Sequence, residues 1–262
     1  MPRSGLPGYA QTVTSPELFA DVHAVLFDLD GVLTPTAEVH RRAWARLFEG
    51  YFAQIGRGAY SESDYFAHID GKPRYDGVRD ELAAHGITIP EGDPSDGPDA
   101  ETVCGLGNRK NAEFNRELAE HGVRAYPGSL SFLDAVDGSG IRSAVVSSSA
   151  NAPEVLKAAG IADRFATVVD GAVAHDRGLA GKPDPATYAY AAQLLGADAA
   201  HSVVVEDATS GVAAGRAGGF IVVGVDRGTG REALLAEGAD LVVEDLAELV
   251  ETWKTATVNR MN

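Results

Sequence analysis

The chain has 262 residues, enough for one large domain or two small ones, and its 45% hydrophobic and 23% charged residues are those of an ordinary globular protein. A formal net charge of -16 repels a phosphate backbone and removes the electrostatic basis for nucleic-acid binding, so an anionic substrate needs locally placed cations or a metal. The single cysteine, Cys104, excludes an intramolecular disulfide and any need for an oxidising compartment.

Residues 1–20 read as an N-terminal extension with Pro and Gly but no apolar run of signal-peptide length. No segment approaches the roughly 18 apolar residues of a membrane span. The expectation is a soluble, cytoplasmic protein with no membrane or nucleic-acid partner; nothing in the sequence names a protein partner. The first strand-like run is 22–27. The stretch from about 36 to 122 then lacks any comparable run and reads as helices joined by polar loops. Ala43, Trp44, Leu47 and Phe48 form one apolar stripe, Val78 with Leu82 a second, and Phe114 with Leu118 a third. Residues 91–100, rich in Pro, Gly and Asp, mark an exposed loop within this stretch.

Beyond Tyr126-Pro127-Gly128 the strand-like runs resume at 143–146, 167–169, 203–205 and 220–223, with a weaker one at 241–243. Helical patterns at 153–159, 184–195, 210–217 and 229–237 alternate with them. Pro153 and Pro185 suit first helical turns, and Gly160 and Gly196 suit left-handed C-caps. This alternation predicts an α/β protein: a Rossmann-like, doubly wound parallel sheet core (residues 21–35 and 124–262) carrying an inserted all-helical cap (residues 36–123).

Ligands of such sheets bind beyond the carboxyl ends of the strands. After the first run, Asp28 and Asp30 project to one side while Leu29 turns to the core. Two close carboxylates need a cation or a shared proton. With Asp28 ionised and Asp30 protonated, one can attack and the other act as acid or base. An Asp pair opening a loop also fits any acidic chain. Ser147-Ser148-Ser149 supplies hydroxyls and free N–H groups for phosphoryl oxygens, or is simply a polar turn. Lys182, between Gly181 and Pro183, could offset phosphoryl charge or sit on the surface. Glu206-Asp207 ends a strongly apolar strand, and metal coordination is a good reason for acids there. Together the four sites supply nucleophile, hydroxyl, cation and metal ligands, each at or just beyond a predicted strand.

In this order, Asp28-x-Asp30-Gly-Val, then Ser147, Lys182-Pro and Glu206-Asp207, the chain resembles the haloacid dehalogenase superfamily of phosphotransferases, over nearly its whole length. The resemblance implies an aspartyl-phosphate on Asp28, Asp30 as general acid/base, and Ser147 and Lys182 holding the phosphoryl group. It implies Mg²⁺ held by Asp28, the Asp30 carbonyl and Asp207, with Glu206 in or beside the shell. Thr36-Ala37-Glu38-Val39-His40, Asp70-Gly71-Lys72-Pro73-Arg74 and Asn108-Arg109-Lys110-Asn111 are similar to the cap segments of the β-phosphoglucomutase subgroup. By that similarity Thr36 and His40 position Asp30 and the attacking hydroxyl. Arg74 grips the distal phosphate, Lys110 reaches the sugar, and Ser148, Ser149 and Asn151 complete the pocket from the core side.

The implied reaction interconverts β-D-glucose 1-phosphate and glucose 6-phosphate through glucose 1,6-bisphosphate, with a Mg²⁺-dependent sugar-phosphate phosphatase as the alternative. A dehalogenase or phosphonatase would lack Asp30, and a regulator that had lost turnover would lack motif residues. Two departures stand out: Pro35 replaces the subgroup's usual acid, and Ala150 stands where mutases often carry Lys.

Overall fold

The computed structural model describes residues 16–258. Its centre is one sheet of six strands: β1 (Ala24–Phe27), β2 (Arg142–Val146), β3 (Thr167–Val169), β4 (Ser202–Glu206), β5 (Ile221–Val225) and β6 (Leu241–Val243). All neighbours are parallel, in the order β3-β2-β1-β4-β5-β6. Each of the six expected apolar runs is a strand. A strand covered on both faces must be apolar on both, and β1 is buried throughout. Its alternation sorts the two faces: Val25 and Phe27 join a cluster with Phe132 and Trp253, while Ala24 and Leu26 join one with Tyr188 and Val212.

Between β1 and β2 lie α1 (Thr36–Ile55), α2 (Glu62–Asp64) running into a π-helical turn (Tyr65–Ile69), α3 (Arg74–Ala84), α4 (Val103–His121) and α5 (Pro127–Gly138). After β2 come α6 (Ala152–Ala158), α7 (Gly171–Arg177), α8 (Ala186–Leu195), α9 (Thr209–Ala217), α10 (Arg231–Ala236) and α11 (Val250–Thr257). Pro153 does sit in the first turn of α6. Pro185 is the N-cap residue of α8 rather than part of its first turn, and Gly196 is the left-handed C-cap at φ 66°. Gly160, also left-handed, falls one residue beyond the C-cap Ala159.

Trp44, Phe48, Phe52, Val78, Leu82 and Leu106 form an apolar cluster of their own within the inserted helices. Phe114, expected among the stripes of the insertion, instead enters the cluster under the sheet together with Ala43. The insertion is thus seated on the sheet by its own side chains. Chain departure and return meet where Tyr126 N–H donates to the Leu33 carbonyl at 2.9 Å. Ser129 Oγ donates to the Val32 carbonyl at 2.7 Å.

Of the expected extension 1–20, residues 1–15 lie outside the described residues. Its last part, Pro16–Phe19, is a 3-10 turn whose Phe19 is wholly buried, 5.4 Å from the Trp253 ring. That stretch therefore belongs to the core. Trp253 in turn meets Phe132 edge-on at 5.4 Å, so α11 packs against α5. Among the described residues no helix is long and apolar enough to cross a membrane. Trp253→Ala should cost about 3–5 kcal/mol, measured by urea unfolding of both proteins. A loss below about 1 kcal/mol, the level of an ordinary surface change, would mean that α11 is not part of the cooperative core.

Candidate active site

The strand order reverses between β1 and β4, and that switch point is where a doubly wound sheet opens a crevice. Asp28 N–H donates to the Val205 carbonyl at 2.9 Å, carrying the ladder one residue past β1 and fixing Asp28 at the tip. The chain then turns tightly: Leu33 and Thr34 N–H groups both reach the Leu29 carbonyl, and Gly31 N–H reaches Thr34. Gly31 has φ +88°, and a Cβ there would lie 1.8 Å from Asp207 Oδ2. Only glycine lets the β1 and β4 loops approach this closely.

Lys182 is buried and uses all three ammonium donors: Asp28 Oδ1 at 2.6 Å, Glu206 Oε1 at 2.6 Å and the Val146 carbonyl at 3.2 Å. The Tyr188 ring lies 5.0 Å from its nitrogen. Glu206 Oε1 also accepts from Tyr188 OH at 2.8 Å, and Oε2 accepts from the N–H groups of Asp207 and Ala208 at 3.0 and 3.1 Å. All four acceptor directions of Glu206 are therefore occupied.

Oxygens of Asp28, Glu206 and Asp207 lie within 4.8 Å of one another. Burial, with Glu206 and Asp30 adding to it, pushes the Asp28 carboxyl well above its usual range, although Lys182 opposes this. Burial, followed by the charges of Asp70 and Asp28, does the same to Asp207. Buried oxygen donors that repel one another are a fitting seat for a hard dication, which would relieve the repulsion and return both groups to their ionised form.

Asp30 has the opposite character. Burial pushes it up, but His40, the Thr36 hydroxyl and Lys110 outweigh that and hold it at about 2. Thr36 Oγ1 donates to Asp30 Oδ1, His40 Nε2 lies 3.4 Å from the same oxygen, and Ser147 Oγ lies 3.5 Å from Oδ2. The two carboxyls thus differ in their surroundings: burial among other acids raises Asp28, whereas His40, the Thr36 hydroxyl and Lys110 lower Asp30. Each carboxyl answers to its neighbours, a field that Asp-x-Asp spacing does not reveal.

His40 Nδ1 is hydrogen-bonded to Lys110 Nζ, and its ring stacks on Phe114 at 4.1 Å. Lys110 lies 5.1 and 5.2 Å from the Trp44 and Phe114 rings. Burial pulls it down to about 7, with Asp30 opposing and Arg74 adding. Burial and Lys110 likewise lower His40.

The loop from Asp70 to Arg74 closes the other side. Ser210 Oγ donates to the Asp70 carbonyl at 3.0 Å and Ser148 Oγ to the Gly71 carbonyl at 2.7 Å. Gly71 has φ +71°, and a Cβ would meet Ser210 Oγ at 2.1 Å. Arg74 Nη1 donates to Asn108 Oδ1 at 3.0 Å, and the Asn108 amide is anchored on the Pro94 and Asp96 carbonyls. The loop at 91–100, expected merely as exposed, is therefore the base on which Arg74 is aimed.

A cleft results, lined by Asp28, Asp30, Glu206 and Asp207 from below and by His40, Asp70, Arg74 and Lys110 from the insertion. Ser148, Ser149 and Ala150 line it as well. The Ser148 hydroxyl, expected for substrate, is spent on Gly71, and Ser149 Oγ accepts from Asn151 N–H at 3.2 Å. The Asn151 amide donates to Asn111 at 2.6 Å, tying α4 to the β2 loop rather than facing the cleft. Sequence reasoning gave no role to Tyr188, Ser210 or Asp70. Only Asp70 carried a signal, as part of the matched cap segment; burial raises it to about 6 against a hydrogen bond from Tyr65.

A parallel sheet with this acid–lysine cluster at its switch point, roofed by inserted helices, is the architecture of a phosphotransferase. The chain belongs to the haloacid dehalogenase-like hydrolase family, whose profile matches residues 22–219. It is 48% identical over 242 residues to the β-phosphoglucomutase of Mycobacterium tuberculosis, covering 87% of this chain and 92% of that protein. It is 33% identical over 237 residues to the β-phosphoglucomutase of Bacillus subtilis, covering 88% and 95%. In fold it is similar to the β-phosphoglucomutase crystal structure from Clostridium difficile, with a TM-score of 0.74 at 24% identity over 92% of this chain and 99% of that one.

Lys110 makes stability depend on pH. Its folded value of about 7 lies below the 10.5 of an exposed lysine. Between these values the unfolded chain holds a proton that the fold has released, so stability rises with pH. Wild type should gain stability relative to Lys110→Met from about pH 6.5 to about pH 9, read by urea unfolding. A constant difference would show that Lys110 stays charged in the fold.

Proposed function

We propose that this chain interconverts β-D-glucose 1-phosphate and D-glucose 6-phosphate in the cytoplasm, through a phospho-Asp28 enzyme and glucose 1,6-bisphosphate. The observation that carries this reading is a pairing within one cleft. Asp28 and Asp30 stand together beyond β1, and Arg74 and Lys110 of the insertion line the same cleft. The identity to the mycobacterial enzyme over most of both chains supports it.

In the first half-reaction the sugar's C6 hydroxyl attacks the phosphorus on Asp28. The O6–P bond forms, the Asp28–P bond breaks, and ionised Asp30 takes the hydroxyl proton. The bisphosphate turns round, and Asp28 attacks the C1 phosphate. The Asp28–P bond forms again, the O1–P bond breaks, and Asp30 returns its proton to O1. Ser147 and Lys182 hold the phosphoryl group, while Thr36 and His40 keep Asp30 aimed. Arg74 holds the phosphate not reacting, Lys110 meets the sugar oxygens, and Ser149 borders the same pocket. Asp28 and Asp207, with the Asp30 main-chain carbonyl, would hold Mg²⁺, whose charge would neutralise the crowded acids and favour phosphoryl oxygens beside them. The loop pinned by Ser148 and Ser210 keeps water from the aspartyl-phosphate.

Ala150 favours the second reading, a sugar-phosphate phosphatase, because it puts no cation on the core side of the cleft. The deciding assay supplies Mg²⁺, β-glucose 1-phosphate and a trace of phosphorylating agent, and follows glucose 6-phosphate and free phosphate together. Glucose 6-phosphate with little free phosphate, and no turnover of the α anomer, is expected; stoichiometric free phosphate would establish the phosphatase instead.

Asp28→Asn should abolish phosphoenzyme formation, whereas Asp30→Asn should slow both transfers by about 10²–10⁴-fold while leaving the nucleophile in place. Turnover retained in Asp28→Asn would refute the mechanism. For Arg74→Ala, mutase activity should fall further than hydrolysis of a small activated ester; equal losses would remove the distal phosphate site.

A further inference from the structure

The segment that carries Asp70 and Arg74 is a hairpin: α2 and the π-helical turn lead in, and α3 leads out. At its base, away from the cleft, ligand atoms of Asp64, Glu81 and His85 lie within 4.8 Å of one another. Glu81, on α3, and His85, its C-cap residue, stand four residues apart. The Glu81 side chain is 0% exposed, yet neither carboxylate oxygen has a hydrogen-bond partner. Its nearest counter-charge is His85 Nε2, at 3.0 Å.

A buried carboxylate in that state is expensive unless a cation completes it. The buried Tyr60 hydroxyl also lacks a partner, and the field of Glu81 adds to the burial that raises it. Two more features give the cluster the form of a built site. Ser61 N–H and Oγ both donate to Asp64 Oδ2 at 2.7 Å, which fixes that carboxylate. The His85 ring packs against Phe52 with centroids 4.5 Å apart, which fixes the imidazole.

We propose that Asp64, Glu81 and His85 bind one transition-metal dication of the Zn²⁺ type, clamping the two arms of the hairpin. One imidazole nitrogen with two carboxylates, and no thiolate, suits Zn²⁺ or Co²⁺ and is a poor match for Mg²⁺, which prefers oxygen alone. The fourth position is open to water. The ion replaces the missing partners of Glu81 and makes the insertion more rigid around the loop that presents Asp70 and Arg74. This site is separate from the Asp28–Asp207 cluster and independent of the reaction proposed above.

The test uses the tag-free full chain in excess Mg²⁺, which occupies the oxygen-only cluster, titrated with Co²⁺ and then Zn²⁺. One Co²⁺ should bind with the visible absorption of a four- or five-coordinate nitrogen-containing site, Zn²⁺ should displace it, and Zn²⁺ should raise Tm. Both responses should weaken at least about tenfold in metal affinity in His85→Ala and in Glu81→Gln, and persist in Asp207→Asn. Glu81→Gln keeps the shape of the buried side chain and removes only its charge, so it should fold with a metal-free Tm near that of wild type. Its loss of the metal response would then report a lost ligand rather than a lost fold. Co²⁺ binding with only the weak bands of six oxygens, or a response unchanged in His85→Ala, would overturn the site. Neither readout involves turnover, so the result stands apart from that of the mutase assay.

Discussion

The buried Lys182 ammonium is the contact on which the rest of the site depends. Its three donors reach Asp28 after β1, the last carbonyl of β2 and Glu206 at the end of β4, so a single cation gathers the tips of three strands. Removing it would leave two buried carboxylates facing each other, a far larger penalty than the loss of an exposed pair. Glu206 passes the order on. With one oxygen held by Lys182 and Tyr188, its other oxygen caps the Asp207 and Ala208 N–H groups and sets the direction in which Asp207 leaves the strand. The proposed nucleophile and the proposed metal ligand are thus positioned by one electrostatic knot rather than separately.

Asp28 and Asp30 show how environment divides the labour of identical side chains. Asp28 points into the low-dielectric centre among other acids. Asp30 points toward groups that largely come from the insertion: His40 and Thr36 on α1, and Lys110 on α4 behind His40. The proton affinity of Asp30 is therefore a property of the seated insertion. Were α1 and α4 to swing off the sheet, Asp30 would lose the fields that keep it ionised, and its readiness as a base would go with them. The hydrogen bonds of Ser148 and Ser210 to the Asp70–Gly71 backbone, and of Asn151 to Asn111, hold the insertion in place from the core side.

The sheet was legible because each of its strands is a short apolar run, and because the acids, serines and lysine fall at or just beyond strand ends where a doubly wound fold must place its site. The helices α5, α7 and α11 were not. The apolar face of α5 is interrupted by Gly128, Ser129 and Ser131, α7 buries none of its side chains, and α11 rests on Trp253 and Thr257. Phe114 illustrates a further limit. Helical spacing says that a residue faces inward, but not which of two apolar clusters it enters. Charge states were hidden for a related reason. The bonds of Lys182 to Asp28 and Glu206, of Tyr188 to Glu206, and of Lys110 to His40 behind Asp30 join residues distant in sequence.

The bulk charge of the chain bears on the same cleft. A protein of net charge -16 repels phosphorylated sugars at long range. Most of its cations near acids are spent: Arg46 on Glu113 and Glu117, Arg79 on Asp76 and Glu91, Arg164 on Asp134 and Asp137. Arg74 and Lys110 are different. Among the described residues the first is held by the neutral Asn108 amide and the Tyr75 ring, the second by His40 and two aromatic rings, and neither makes an ion pair. Neither is held by a carboxylate at ion-pair distance, and that is a condition for an anion to gain by entering. At Lys110 the gain is amplified, since burial has already brought the ammonium to about 7. A phosphate arriving in the cleft would draw the proton back, so that the protein is most cationic there when a phosphorylated ligand is present.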